Sequence, residues 1–598
     1  MSKKIAMIGA GSVVFSKSLT GDFLQYPEFA DATFTYMDID PARLDVGAAL
    51  CGKVADKLGV KPTIEKTLDQ KEAIKDADFV VCMVQIGGFN STLVDFEIPR
   101  KYGLNFTIAD TTGPGGLFRA LRTFPFMQQL GRDILDLARP DCWLLQYSNP
   151  MSMNIRGLYE STDWKIKAVG LCHSVQGTFS HRMRDIGVDP EAASFTAAGI
   201  NHMCFYTRLE QAGRDLYPDL FKIADEQIAK GNDSVRYELM KRLGYAITES
   251  SEHNAEYSAH FMPHAGYIEK FGVPVDEYLR RCDGIVDEFE RLIEFSRSDE
   301  PIAEVKKSEE YGSVIGHSIV TGEPSVVYGN LPNFGAIPNL PDKAIVETPT
   351  LVDANGCQPT RVAPLPAQLV GYMMPHVTQH ELFARIVMEQ DRDAVYQACF
   401  SDPLTAAKLP MDKIVEMCDE LIAAQQDRLP PLNPGRLPTS GKTFDPPTPE
   451  QLRASWDEAK KHTSDEDVVR DWKVLGPVEG EATERQAVAG EVSGEWTPAA
   501  VANDDEAFEI GRTLHLEHGS HPALAMADID SVHTRDTTLR LATAGRVKVW
   551  LNGKLLHDGR GQQPLRVRLN EGRNTLLVKL LNPDGRTKLG AFVTKANM

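Results

Sequence analysis

The feature that most constrains this chain is a glycine-rich turn close to its N-terminus. Residues 5–8 are apolar and predict a buried strand, Gly9-Ala-Gly-Ser12 predicts a tight turn, and residues 13–26 have a helical pattern. Glycines let a backbone approach a pyrophosphate closely, and a helix N-terminus supplies unpaired N–H groups and the positive end of a dipole. The sequence therefore predicts a Rossmann-like sheet that holds a dinucleotide at Gly9, Gly11 and Ser12.

An acidic residue follows the second predicted strand, residues 33–37. This residue, Asp38, stands where dinucleotide sites place the carboxylate that hydrogen-bonds the adenosine ribose. A carboxylate would repel a 2′-phosphate, so Asp38 favours NAD+ over its phosphorylated form. The usual third glycine is absent, and a glycine turn between an unrelated strand and helix is the alternative.

The composition restricts the possible partners. The 598 residues carry a formal net charge of −20, which argues against nucleic acid or an anionic membrane, because both need basic patches. The sequence has no apolar run long enough to span a bilayer, and its nine cysteines form no CxxC pairs, as is typical of a reducing compartment. We expect a cytoplasmic enzyme that acts on a small molecule.

Changes of pattern along the chain predict four segments. They are a Rossmann-like NAD-binding domain (1–195), a mixed α/β domain for substrate, metal and oligomerisation (196–429), a Pro-rich linker with a short helix (430–465) and a β-sandwich (466–598). Seven of the twenty residues 430–449 are proline, which a helix interior or a central strand does not tolerate. The predicted fold class is α/β, with a Rossmann-like nucleotide domain and a mixed α/β substrate domain, followed by an all-β, jelly-roll-like sandwich.

The sandwich prediction depends on runs that alternate with period two between short Gly-containing turns. These runs are residues 547–551, 565–569 and 576–580. Trp472, Trp496 and Trp550 are candidate platforms for stacking sugars, although a tryptophan in a sandwich is more often part of the core. We favour a structural or oligomer-capping role for this segment over carbohydrate binding.

Polar residues follow several predicted strands at their carboxyl ends. Asn149 and Cys172 each follow a strand, Asp110 lies in a second glycine-rich turn, and His202 follows another strand-like run. Such strand ends meet at one crevice in a doubly wound sheet. Cys172 and His202 are suitable ligands for one divalent transition metal, whereas a buried small thiol and a satisfied core imidazole are the alternative.

Nine motifs occur together in one order along residues 1 to about 429. They occupy residues 9–12, 37–40, 85–88, 108–116, 148–151, 170–176, 199–202, 248–257 and 328–330. Together they resemble glycoside hydrolase family 4, the NAD- and metal-dependent glycosidases. Cys-His-Ser-Val-Gln from Cys172 and Thr-Glu-Ser-Ser-Glu-His from Thr248 are similar to the α-galactosidase (melibiase) branch of that family.

The resemblance implies hydrolysis of α-galactosides by oxidation, elimination, addition and reduction. In that family NAD+ takes a hydride from C3 of the sugar, the ketone acidifies the proton on C2, and the hydride returns after cleavage. The resemblance assigns Mn2+ or another divalent metal to Cys172 and His202, the base at C2 to Tyr257, and substrate binding to Asn149 and Asn201. By residue type alone, Tyr257 would be a core aromatic and Asn149 a turn residue before proline.

The identity of the general acid stays open. The phospho-glucosidase branch usually has an aspartate directly after the metal-binding cysteine, and this chain has His173 there. The candidates are His173, Asp110, or a metal-bound water acting through a relay. Asp110 could equally be a helix cap or a sugar-hydroxyl contact. We expect His253 and Glu256, close to Tyr257, to be supporting residues.

Other activities fit the same residues. The chain could be an α-glucosidase or α-glucuronidase of the same family, or an NAD-dependent sugar or hydroxy-acid dehydrogenase, which would release NADH. A sugar-sensing protein that uses NAD only structurally would bind sugar without turnover. The expected partner is a small-molecule α-glycoside, with no nucleic acid and no membrane, and we expect a homodimer or homotetramer.

Overall fold

The computed structural model describes most of the chain. The described residues are 2–463, 466–469, 471–476, 478, 496–500, 507–514, 522–531, 535–543, 545–561, 565–581, 583 and 587–594. The chain divides into two compact units, residues 1–459 and 460–598, and each is described by itself. No helix of the described residues is both long enough and apolar enough to cross a membrane.

The first unit is built on one twelve-stranded sheet. Its strands are β1 (Lys4–Ile8), β2 (Thr33–Met37), β3 (Thr63–Thr67), β4 (Phe79–Cys82), β5 (Trp143–Gln146), β6 (Ala168–Gly170), β7 (Ser194–Ile200), β8 (Met203–Gln211), β9 (Arg214–Asp215), β10 (Ser325–Pro332), β11 (Ile345–Asp353) and β12 (Gly356–Pro359). The order β3-β2-β1-β4-β5-β6 is parallel throughout, and β10, β11, β7, β8 and β9 continue the sheet with antiparallel pairing. β12 pairs with β11.

Helices cover both faces of this sheet. They are α1 (Val13–Leu24), α2 (Pro41–Leu58), α3 (Gln70–Ile74), α4 (Gly88–Lys101), α5 (Gly113–Leu137), α6 (Met151–Ser161), α7 (Ser174–Asp185), α8 (Tyr217–Ala229), α9 (Ser234–Leu243), α10 (Ser251–Glu256), α11 (Ala265–Phe271), α12 (Glu277–Arg297), α13 (Gly312–Thr321), α14 (Ala367–Glu389), α15 (Arg392–Ser401), α16 (Pro403–Lys408), α17 (Met411–Gln425) and α18 (Pro449–Thr463). The local sequence sets their ends: Asp40 caps α2 by accepting from Ala42 N and Arg43 N, and Gly59 ends it at φ +69°.

Burial on both faces explains why the parallel strands have apolar runs instead of an alternating pattern. In β1, Ile5 and Met7 belong to one apolar cluster and Ala6 and Ile8 to another, and all four are fully buried. The expected α/β fold class is confirmed. The predicted strand at 33–37 is confirmed to the residue.

Two parts of the sheet differ from what the pattern predicts. β3 lies at the sheet edge, where its exposed polar residues give no apolar signal. β10 and β11 insert between β6 and β7, so the sheet joins strands from both sides of the boundary predicted between residues 195 and 196. That boundary stays a prediction.

The Pro-rich segment lies along the first unit as an extended strap. The carboxylate of Asp393 accepts from Arg436 N and Leu437 N, and Asp419 accepts from the backbone and hydroxyl of Ser440. A proline-rich chain cannot pair as a β-strand, so these two carboxylates, on α15 and α17, accept hydrogen bonds from its backbone N–H groups instead. The strap leads into α18, whose Trp456 is completely buried.

The second unit contains antiparallel sheets. Its described elements are β13 (Glu466–Val468), β14 (Asp471–Leu475), β15 (Thr497–Ala500), β16 (Phe508–Glu509), α19 (Ile510–Thr513), β17 (Ala523–Ser531), β18 (Arg535–Leu541), β19 (Arg546–Leu551), β20 (Lys554–Arg560), β21 (Leu565–Leu569), β22 (Gly572–Leu580), β23 (Lys588–Leu589) and β24 (Ala591–Thr594). The sheets β13-β24-β18-β21 and β15-β14-β17-β22-β19-β20 share one apolar cluster, as a sandwich does. Trp472 and Trp550 are buried, so both are core residues and the hypothesis that they stack against sugars is wrong. Trp496 is half-buried.

Candidate active site

The candidate site lies at one edge of the twelve-stranded sheet. Asn149 and Cys172 follow the carboxyl ends of the neighbouring parallel strands β5 and β6. His202 lies in the two-residue turn of the β7–β8 hairpin, whose flanking residues Ile200 and Met203 pair directly. The sheet therefore brings together residues that are far apart in the sequence.

Cys172, His202 and Glu249 form a cluster that is suited to a metal ion. Their candidate ligand atoms all lie within 4.8 Å of one another. Glu249 Oε2 is 3.2 Å from His202 Nε2 and 3.8 Å from Cys172 Sγ. A thiolate, an imidazole and a carboxylate are the donor types that Zn2+ and related divalent ions accept, and three protein ligands leave positions open for a substrate.

Two of these three residues have a left-handed backbone. His202 has φ +66° and Glu249 has φ +64°, both outside the region that side chains other than glycine usually adopt. Strained backbone of this kind persists where the surrounding structure fixes it, and it is concentrated at functional sites. Here it turns both side chains toward Cys172.

Tyr257 lies on the other side of the His202 ring. Its hydroxyl is 2.9 Å from His202 Nδ1, and the Thr111 hydroxyl is 3.1 Å from the same nitrogen. This arrangement leaves Nε2 to face Glu249 and Cys172. Tyr257 is fully buried, and burial, followed by the charges of Asp110, Glu256 and Glu249, raises its pKa well above the usual value for a phenol.

Asp110 joins the substrate-facing residues to the cluster. Its Oδ2 accepts from Asn149 Nδ2 at 3.0 Å, and its Oδ1 accepts from the Thr111 hydroxyl at 2.7 Å. His253 lies between two carboxylates, with Nε2 3.5 Å from Asp110 Oδ1 and Nδ1 3.3 Å from Glu249 Oε1. Asn149, His253 and the metal cluster are thus linked by one polar network.

The charges in this network set its protonation. Burial by itself raises the pKa of Asp110 and of Glu249, but His253 and His202 nearby outweigh it, so the pKa of Asp110 lies below its usual range and that of Glu249 falls to about 2. The same carboxylates overcome the effect of burial on His253 and raise its pKa to about 9. Burial lowers the pKa of His202. At neutral pH two carboxylates therefore face one imidazolium and one neutral imidazole.

Glu256 fixes the loop that carries Asp110. Its buried carboxylate accepts from Thr107 N at 3.0 Å, from Ile108 N at 3.1 Å and from Ala109 N at 3.0 Å, and also from the Thr107 hydroxyl. Because Glu256 directly precedes Tyr257, this contact ties the Asp110 loop to the segment that presents the phenol. The expectation that Glu256 and His253 are supporting residues stays a prediction.

His173 lies at the more open side of the site. Its Nδ1 is 2.9 Å from Glu310 Oε1, and its side chain is 65% exposed. The hydrogen bond with Glu310 is the largest cause that raises the pKa of His173 to about 9. Nδ1 is engaged by the carboxylate, so Nε2 is the nitrogen available to a ligand.

The glycine turn between β1 and α1 is tightly packed, and its use by a dinucleotide stays a prediction. Gly9 has φ +86°, and a Cβ placed there would lie 2.9 Å from Met83 O. The N-terminus of α1 has no side-chain cap from Ser12, so its first N–H groups are available to a pyrophosphate. Asp38 Oδ2 accepts from Gly11 N at 2.7 Å, which shows that this carboxylate also holds the turn.

Asn201 directly precedes His202 in the turn between β7 and β8 and is buried. Its side-chain amide has no hydrogen-bond partner among the described residues. Gly170 pairs with Asn330, and Gly199 pairs with Glu347, so Asn330 and Glu347 lie in the sheet between the strands that carry the two predicted metal ligands. Binding of substrate by Asn201 stays a prediction.

Several residues of this site were not found by sequence reasoning. Glu249 and Glu310 are single acids with no spacing pattern, and they reach Cys172 and His173 only through the fold. Glu249 does lie inside the Thr-Glu-Ser-Ser-Glu-His motif, which was the one available signal. Arg119 was also missed; its Nε donates to the backbone oxygen of Asn149 at 3.2 Å.

Comparison with known proteins identifies the family. Residues 4–188 match the family model described as family 4 glycosyl hydrolase, and residues 197–405 match the model of its C-terminal domain. This chain belongs to family 4 of the glycosyl hydrolases. The resemblance that the nine motifs predict is confirmed, and this protein is a glycosidase.

Relatives and solved structures agree with this assignment. An α-galactosidase of Bacillus subtilis is 38% identical over 432 residues, which cover 72% of this chain and 99% of the relative. An α-galactosidase of Rhizobium meliloti is 28% identical over 443 residues, covering 72% of this chain and 89% of the relative. The crystal structure of a 6-phospho-α-glucosidase from gut microorganisms, in complex with NAD and Mn2+, shares the fold with a TM-score of 0.62 at 20% identity, covering 72% of this chain and all of the other.

Proposed function

We propose that this family 4 glycosidase hydrolyses terminal α-galactosides, with NAD+ and a divalent metal such as Mn2+ as cofactors. The observation that carries the proposal is the cluster of Cys172, His202 and Glu249 next to Tyr257. The B. subtilis α-galactosidase supports galactose as the sugar, and the neighbour solved with NAD and Mn2+ supports the cofactors.

The residues present fit both cofactors. Gly9, Gly11 and Ser12 would hold the pyrophosphate, and Asp38 would reach the ribose from its place beside the turn. Cys172 and His202 would hold the metal, with Glu249 as a third ligand. When bound, NAD+ supplies a hydride acceptor that also returns the hydride, and the metal supplies a Lewis acid for the sugar hydroxyl oxygens.

In this proposal Asn149 orients the sugar, and Tyr257 removes a proton from it. The Asn149 amide donates to Asp110, which leaves its carbonyl oxygen to accept from a sugar hydroxyl. Tyr257 is the base that removes the proton from C2, and its hydroxyl is held 2.9 Å from His202 Nδ1. Burial of this pair excludes water from the proton transfer.

His173 is the general acid of this proposal. Glu310 binds Nδ1 and keeps the ring protonated, and the side chain is largely exposed, so the Nε2 proton is open to a leaving group. Asp110 is the weaker candidate, because its pKa lies below the usual range and the carboxylate has no proton to donate at neutral pH. The leaving group would therefore take its proton from His173.

The test is hydrolysis of p-nitrophenyl α-galactoside, α-glucoside, α-glucuronide and α-galacturonide by the full chain, with and without NAD+, Mn2+ and a thiol reductant. We expect nitrophenol from the galactoside only when both cofactors are present. Cys172→Ser should abolish the activity, whereas Cys142→Ser, which removes another buried thiol, should not. Cleavage after both cofactors have been removed, or NADH that accumulates without cleavage, would refute the proposal and favour a dehydrogenase.

Location and assembly complete the proposal. We propose a cytoplasmic homodimer or homotetramer with a role in carbohydrate metabolism. Light scattering after size exclusion measures the subunit count directly, and a monomer at micromolar concentration would contradict it.

A further inference from the structure

Helix α18 lies beyond the residues that match the family models, yet it is part of the core of the first unit. The match ends at residue 405, and α18 begins at Pro449. Trp456 is 0% exposed, and together with Leu452 it belongs to the same apolar cluster as residues of α4, α5 and α17. A fully buried tryptophan contributes strongly to stability, so this helix is firmly attached.

Two polar contacts of α18 converge on one carboxylate of α12. Trp456 Nε1 donates to Asp283 Oδ2 at 3.0 Å, and an Arg453 nitrogen donates to Asp283 Oδ1 at 3.0 Å. Both oxygens of Asp283 are therefore held by one neighbouring helix. Hydrogen bonds to a charged acceptor are stronger than those between neutral groups.

The same face of α18 contacts α4. The hydroxyl of Ser455 donates to Glu97, and the Arg453 guanidinium lies 5.6 Å from the centre of the Phe89 ring. Glu97 also accepts from Arg100, which forms a salt bridge with Asp276 at the start of α12. Helix α18 therefore contacts both α4 and α12.

The N-terminal part of α12 reaches the sugar side of the site. Tyr278 N donates to Thr107 O at 3.0 Å, and Arg119 donates to the Tyr278 hydroxyl at 3.3 Å. Arg119 also donates to the backbone oxygen of Asn149. The N-terminal part of α12 therefore contacts Arg119, which supports Asn149, and Thr107, which lies in the loop that carries Asp110.

The C-terminal part of α12 reaches the dinucleotide side. Phe289 packs under the Arg43 guanidinium at 4.2 Å, and Arg43 Nε donates to Gly11 O at 3.0 Å. Phe289 and its neighbours on α12 also form an apolar cluster with Val13 at the start of α1. Helix α12 therefore contacts residues that support both the proposed dinucleotide site and the proposed sugar site, and Asp283 lies between its two ends.

We propose that α18 is a brace that sets the position of α12, with Trp456, Arg453 and Asp283 as positioning residues for both the dinucleotide turn and the Asn149 support. This proposal rests on the proposed NAD+ and glycoside sites. It assigns a role in the catalytic cleft to a segment outside the family match. A brace of this kind changes the affinity and turnover of the folded protein, and it does not act by stability alone.

The test uses point variants in the full chain, with NAD+ binding measured by calorimetry and kcat and KM measured with p-nitrophenyl α-galactoside. Asp283→Ala should weaken NAD+ binding about tenfold and lower kcat at saturating NAD+ by a similar factor. Trp456→Phe keeps most of the buried volume but loses the N–H donor, so it should fold and show a smaller loss of the same kind. Arg453→Ala should lose affinity, and Arg453→Lys should recover part of it.

The matched control is Glu294→Ala, which removes an exposed carboxylate from the same helix. It should leave the affinity for NAD+ and kcat within twofold of the wild type. The brace is refuted if Asp283→Ala and Trp456→Phe fold, lose only thermal stability, and keep wild-type NAD+ affinity and kcat. Binding of NAD+ is measured without substrate, so failure of the α-galactosidase proposal would show in the wild type and would leave this test intact.

Discussion

Replacement of Glu347 by glutamine should stabilise the first unit at neutral pH and have little effect at acidic pH. Glu347 is 0% exposed on β11, where its Oε1 accepts from Asn330 Nδ2 at 3.0 Å. Burial is the largest cause that raises its pKa to about 8, the charge of Glu249 adds to the shift, and the hydrogen bond from Asn330 opposes it. The folded protein therefore keeps this carboxyl protonated at pH 7.

The sign and size of the effect follow from that shift. A folded pKa above the unfolded value of 4.5 means that the stabilisation is fully present below pH 4.5 and is lost as the pH rises toward 8. With 1.36 kcal/mol per pKa unit, the loss is about 3 kcal/mol at pH 7. Glutamine has no proton to lose and keeps the oxygen that accepts from Asn330. For a unit of 459 residues, 3 kcal/mol corresponds to a Tm gain of about 3 °C.

Scanning calorimetry of the wild type and Glu347→Gln between pH 5 and pH 8 measures this gain. The buffer should contain a chelator, because a divalent ion near Glu249 would favour the ionised form of Glu347. We expect a Tm gain below about 1 °C at pH 5 that grows with pH, and no such trend for Glu294→Gln on the surface. A gain that is independent of pH, or a loss of stability at pH 8, would refute the reasoning.

Three further substitutions test the site. Glu249→Gln should weaken Mn2+ binding by about tenfold or more, measured by calorimetry, and unchanged affinity would exclude Glu249 as a ligand. Gly9→Ala should lower the free energy of unfolding by about 1–2 kcal/mol, because φ is +86° and the added Cβ would lie 2.9 Å from Met83 O. The affinity for NAD+ should also fall, and wild-type affinity would contradict the proposed role of the turn. Glu310→Gln should slow hydrolysis of an α-galactosyl disaccharide about hundredfold but affect p-nitrophenyl α-galactoside much less, because only the poor leaving group needs the acid His173; equal effects on both substrates would rule out this role.

The parallel half of the sheet could be predicted because its strands are buried on both faces. Residues 33–37 and the segments that precede Asn149 and Cys172 are apolar runs, and such runs are short-range signals. Strand β3 could not be found in this way, since its side chains are largely exposed. The insertion of β10 between β6 and β7 depends on pairing between residues more than a hundred positions apart, such as Asn330 with Gly170.

The candidate site was predictable only in part, for a similar reason. Cys172 and His202 follow strand-like runs, so their position at the sheet edge could be inferred from local pattern. Glu249 reaches Cys172 across 77 positions, and its side chain is turned there by a left-handed backbone that no residue type signals. In the same way, the amphipathic pattern predicts α18, but nothing in that pattern indicates that Trp456 contacts Asp283.

The charges that face the site bear on how Tyr257 could serve as a base. Asp110 and Glu249 are ionised, and His253 and Arg119 are cations close to them. Burial keeps the Cys172 thiol and the Tyr257 phenol neutral by raising the pKa of each. A divalent ion in this buried site would bring two positive charges. Loss of the thiol proton and the phenol proton would offset them, so burial makes Tyr257 a poor base without the ion, and the ion favours release of the phenol proton.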